Sequence, residues 1–168
     1  YLSQGKLDDA ETWLRNQIDP DSASPSARLA LLEFLSRLRG EPAALEEATR
    51  IENLSPRPTD VEENFGTFAS IRAGLLFRQG EQRPAMDRLE ELIATPDMDA
   101  EEIDRMKVSL AQMREQTGNN VGARQLVEEV LARDATQIDA LKMKAAWLID
   151  SDETDQAIVN LRSALDQD

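Results

Sequence analysis

The sequence predicts an all-α protein, a right-handed superhelix (α-solenoid) of antiparallel helix pairs with no sheet. Three observations carry that expectation. A short apolar pattern recurs five times at near-constant spacing. A turn signal precedes each copy, and segments of helical period lie upstream of the turns.

The pattern is a small residue followed four and seven places later by an apolar or neutral one. It reads Ala10/Leu14/Gln17, Ala44/Ala48/Ile51, Ala85/Leu89/Leu92, Ala123/Val127/Val130 and Ala157/Leu161/Ala164. Successive small residues are 34, 41, 38 and 34 positions apart. A small side chain at this place lets two helices approach closely, where a larger one would overpack.

Gly5, Gly40, Gly80 and Gly118 open the turns before the first four copies, and Asp152 stands in the corresponding place before the fifth. Glycine takes the left-handed conformation that closes a helix, and the acidic or amide residues that follow favour the next helix start. Pro42 and Pro84 suit a first helical turn, where the missing N–H costs nothing.

Upstream helices are expected over Arg28 to Arg39, Val61 to Gln79, Ala100 to Thr117 and Ile138 to Asp150. These segments are amphipathic to nearly all-round apolar, as helices packed on two sides should be. Thr59-Asp60 and Asp97/Asp99 read as helix starts after Pro-containing connectors. The two intervals above 34 predict longer first helices or longer connectors around 53–60 and 95–100.

Together, the helix–turn–helix order, the Gly-Asp-like turn, the small residue and the 34-residue period resemble tetratricopeptide (TPR) repeats across essentially the whole chain. The first copy matches best, with Tyr1, Gly5, Leu7, Asp8, Asp9 and Ala10 at hallmark positions and Pro20 closing it. The fourth copy departs, with Lys107, Ala111 and Ala135 at three hallmark places. The expected organisation is a single solenoid domain over 1–168, with repeats at approximately 1–20, 25–54, 60–96, 100–135 and 138–168. Neither end carries the polar face of a capping repeat, so the expectation is a fragment of about four and a half repeats from a longer array. On that reading Trp147 is left partly bare or joins a self-association surface at the C-terminal end.

Composition narrows function by exclusion. With no Cys and no His there are no disulfides, no thiolate chemistry and no imidazole catalysis. No apolar run approaches a membrane span. A net charge of −14 opposes nucleic acid and anionic lipid. The acidic doublets, such as Asp8-Asp9 and Glu128-Glu129, read as first-turn and solvated residues. The runs Asp97 to Glu102 and Asp150 to Asp155 lack the glycine and the distal glutamate of a calcium loop. The expectation is therefore no enzyme, no metal, no cofactor and no catalytic residues.

The resemblance implies a protein-binding surface on the concave groove formed by the first helix of each pair. Helical spacing nominates Glu33, Ser36 and Arg37, then Ser70, Gly74, Phe77 and Arg78, then Arg105, Gln112 and Glu115, and last Lys142 and Ile149. One TPR sub-family captures a C-terminal carboxylate with Lys and Asn on these faces, and Glu33, Gly74 and Gln112 do not reproduce that clamp. The expected function is a scaffold or adaptor for a peptide or protein segment. The alternatives are a self-assembly or inter-domain element with an empty groove, and a regulatory appendage of a larger protein.

Overall fold

The computed structural model describes residues 4–18, 25–54 and 64–165, and among them it is helical without strands. The helices are α1 (Gln4–Asn16), α2 (Pro25–Leu38), α3 (Glu41–Leu54), α4 (Phe65–Arg78), α5 (Gln82–Ile93), α6 (Ala100–Gln116), α7 (Asn120–Arg133), α8 (Ile138–Asp150) and α9 (Thr154–Leu165). The chain forms two compact units, Tyr1–Ala85 and Met86–Asp168, with the division inside α5. In the first, α1 packs on α2, α2 on α3 and α3 on α4. In the second, α6 packs on α7, α7 on α8 and α8 on α9.

The recurring apolar triplet forms the core. Ala44, Ala48, Ile51, Ala85, Leu89, Leu92, Ala123, Val127 and Val130 are all buried, and so is Ala157. In the first copy Ala10 and Leu14 are half-buried and Gln17 is exposed. The first unit centres on Leu31, Leu35, Ala48, Ile51, Phe68 and Leu75, with Leu14 and Ile18 laid against them. In the second unit Met106, Leu110, Ala111, Val127, Val130 and Ala140 have almost no exposed surface.

Turn geometry explains the glycines. Gly80 and Gly118 sit at φ +96° and +84°, and Asp152 takes the same left-handed conformation at φ +65°. The residue after each donates its N–H five places back: Glu81 to Leu76 O at 3.0 Å, Asn119 to Arg114 O at 2.8 Å and Glu153 to Leu148 O at 2.8 Å. This is a Schellman closure, and a side chain at its left-handed position costs energy that glycine avoids. Asp152→Gly is therefore expected to stabilise the α8–α9 turn by about 0.5–1 kcal/mol. A higher urea midpoint would show it, and an unchanged or lower midpoint would contradict it.

Helix starts follow side-chain capping. The Asp99 carboxylate accepts from Glu101 N at 2.8 Å and Glu102 N at 3.2 Å, as its place before α6 predicts. Asn119 caps α7 through Gly122 N at 3.0 Å, and the Gln137 side chain accepts from Ala140 N at 2.6 Å at the start of α8. Helix α6 has 17 residues against 14, 14 and 13 in α2, α4 and α8, so a longer first helix accounts for most of the excess of the 38-residue interval over 34. Thr59, Asp60, Tyr1 and Pro20 lie outside the described residues.

Candidate functional site

In the first unit the nominated residues lie on α2 and α4. Glu33 and Arg37 are exposed one turn apart and pair at 2.9 Å. Ser36 is half-buried. On α4 the picture is mixed. Arg78 is exposed and its Nε lies 2.5 Å from a Glu41 oxygen. Phe77 is buried, and the Ser70 hydroxyl is buried with no hydrogen-bond partner. Apolar helix spacing nominates both sides of a helix packed on two faces, so it could not separate Phe77 from its exposed neighbours. A Cβ added at Gly74 would meet only the end of the Arg78 side chain, at 3.5 Å. Close packing by neighbouring helices therefore does not explain this glycine.

In the second unit Arg105 on α6 pairs with Glu102 and reaches Glu101 at 3.7 Å. Gln112 is exposed, and Lys142 on α8 pairs with Asp139 at 3.0 Å. Glu115 accepts the indole N–H of Trp147, and the Arg124 guanidinium lies over the Trp147 ring, 5.5 Å from its centre. Trp147 is thus half-buried, in keeping with a partly bare residue, and is held by contacts within its own unit. Ile149 is exposed. The pairs of Arg37, Arg78, Arg105 and Lys142 are all solvent-accessible, and such pairs are worth only about 0–1 kcal/mol each. A partner carrying charge could take over these side chains at little cost.

Sequence spacing missed the ion pairs that tie separate helices together. In the first unit Arg15 on α1 donates to Glu47 on α3 at 2.9 Å, and Arg72 on α4 donates to Glu52 on α3 at 3.1 Å. In the second, Arg133 on α7 reaches the buried Asp104 on α6 at 2.5 Å, and Lys144 on α8 reaches Glu128 on α7 at 2.9 Å. Only the packed register brings such residues together, so no local spacing reveals them.

Glu47, like Asp104, is deeply enclosed, with 4% of its surface exposed. Burial alone would raise its pKa, but hydrogen bonds from Arg50 and Arg15 outweigh burial and hold it below the usual glutamate value. The unfolded chain therefore binds this proton more readily than the folded one. Glu47 contributes stability that is present above the ordinary glutamate value of 4.5 and is lost as the pH falls below it. Glu129 and Asp134 are shifted the same way, chiefly by hydrogen bonds from Lys107 and Thr136 respectively. Urea denaturation at pH 7 and pH 4 should show wild type losing more stability than Glu47→Gln. Equal losses would contradict this account of Glu47.

Among the described residues no group of His, Cys, Asp and Glu is arranged to hold a metal ion, and no helix is long and apolar enough to cross a membrane. No protein-family model matches the chain, and no curated protein matches it. Solved structures do match, two of MamA among them. A crystal structure of MamA aligns with a TM-score of 0.58 at 17% identity, covering 99% of this chain and 95% of that one. The fold is similar to that of MamA. A second crystal structure of MamA protein aligns with a TM-score of 0.56, again at 17% identity, over 97% of this chain and 83% of its own. MamA is a TPR-like helical-repeat protein, so the likeness gives this chain a TPR-like helical-repeat fold.

Proposed function

We propose that the chain is a scaffold that holds an extended or helical segment of a partner protein on the exposed faces of its first-of-pair helices. Those are the α2 and α4 faces of the first unit, with Glu33, Arg37, Gly74 and Arg78, and the α6 and α8 faces of the second, with Arg105, Gln112 and Lys142. The MamA-like fold carries this reading. The accessible ion pairs on those faces, easily exchanged for pairs with a partner, support it. The net charge of −14 favours protein over nucleic acid as the thing held.

Quantitative affinity capture with the chain as bait tests the proposal, beside Arg78→Glu and Arg105→Glu baits. A partner retained by wild type and depleted by either variant supports binding at that variant's face. Equal retention by all three places binding elsewhere, and capture of the bait alone favours self-assembly.

Gly74 gives an independent check. Gly74→Ala should stabilise α4 by about 0.5–1 kcal/mol, because glycine is costly inside a helix and the added methyl has room. If the partner backbone approaches α4 here, the same variant retains less partner despite its higher melting temperature. A variant that is less stable than wild type would mean the methyl does not fit.

A further inference from the structure

A second site lies in the first unit, away from the α2 and α4 faces. It is a cleft of about 340 Å³ lined by Glu11 and Arg15 of α1, Leu35 of α2, Arg39 at the end of α2, and Ala43, Glu46, Glu47 and Arg50 of α3. None of the residues nominated for the groove lines it. The volume is at the small end of those that hold compact ligands.

Three guanidinium groups from three parts of the chain converge here, and two carboxylates fix them. Glu47 accepts from Arg15 at 2.9 Å with one oxygen and from Arg50 at 2.5 Å with the other. Glu11 accepts from Arg15 at 3.0 Å and from Arg39 at 2.9 Å, again with different oxygens, and Arg39 also bonds Asp8. Both oxygens of both carboxylates are thus already engaged. A guanidinium has five N–H donors, and these contacts use three on Arg15 and two each on Arg39 and Arg50. The third lining carboxylate, Glu46, is exposed and accepts from none of the three arginines, so some acceptor capacity remains as well. The eight N–H groups left on the guanidiniums outnumber it and favour an acceptor-rich, negatively charged group. The lining is charge-balanced, three Arg against three Glu, in a chain of net charge −14, so it opposes an anion less than the surface as a whole does.

We infer that this cleft binds an oxyanion, a phosphoryl or carboxylate group, through the unused N–H groups of Arg15, Arg39 and Arg50. Glu47 and Glu11 act as positioning residues that hold the guanidinium planes before the ligand arrives, which reduces the ordering cost of binding. The inference does not depend on the groove reading, because the two sites share no residue.

The test is nuclear magnetic resonance of the arginine Nε–H groups in the full chain. The chain is titrated with inorganic phosphate against chloride at matched ionic strength, and in a second arm with a short phosphoserine peptide beside its serine counterpart. Saturable shifts of the Arg15, Arg39 and Arg50 signals, with Arg72 and Arg133 unmoved, are expected. Arg50→Gln should weaken binding about tenfold, the loss of a charge-assisted contact. Among the described residues Arg50 pairs only within α3, so this variant leaves the Arg15–Glu47 tie between helices intact. Arg162→Gln removes an equal charge from the exposed surface of α9, outside both sites, and should bind like wild type. A peptide that binds more tightly than phosphate identifies a protein-borne oxyanion, and equal binding identifies a free one. No saturable shift with any probe, or equal loss in Arg162→Gln and Arg50→Gln, would overturn the inference.

Discussion

Replacing Leu110 by Ala is expected to destabilise the folded chain by about 2–5 kcal/mol. Leu110 is on α6 with 1% of its surface exposed, so truncation removes buried methyl groups and leaves a cavity where neighbours collapse only partly. Urea denaturation followed by circular dichroism measures the loss. Ile149→Ala, an exposed site on α8, serves as the control and should change stability by no more than about 0.5 kcal/mol. A Leu110→Ala midpoint indistinguishable from the control's would mean that α6 is not packed as described.

The second large effect runs the other way in volume. Ala123→Leu should cost about 1–3 kcal/mol, because Ala123 has no exposed surface and α6 packs directly on α7. Ala132→Leu, exposed on the same helix, adds the same atoms in solvent and should be close to neutral. The comparison separates crowding at a helix crossing from any change in helix propensity. If Ala123→Leu is as stable as Ala132→Leu, the recurring small residue has another explanation than close helix approach.

Much of the fold is legible in the sequence because its determinants are local and repeated. The Ala85/Leu89/Leu92 and Ala123/Val127/Val130 triplets mark buried helix faces by spacing alone. Gly80 and Gly118 mark left-handed closures, and the substitution of Asp152 for glycine is visible in the sequence as the exception it proves to be in the backbone. The candidate site is less legible. Helical spacing placed Arg37, Arg78 and Lys142 on accessible faces, but it also nominated Phe77, which is buried, since an apolar residue on a doubly packed helix satisfies the same spacing. The arginine cleft was invisible because Arg15, Arg39 and Arg50 meet only when α1, α2 and α3 pack.

The central claim is that a partner segment lies on the first-of-pair helix faces, and hydrogen–deuterium exchange with the captured partner tests it most directly. The chain would be exchanged alone and with saturating partner, and protection read helix by helix. The account predicts added protection in α2 and α4, in α6 and α8, or in both sets, with α3, α7 and α9 unchanged. Protection confined to α3, α7 or α9, or none in any helix, would contradict it.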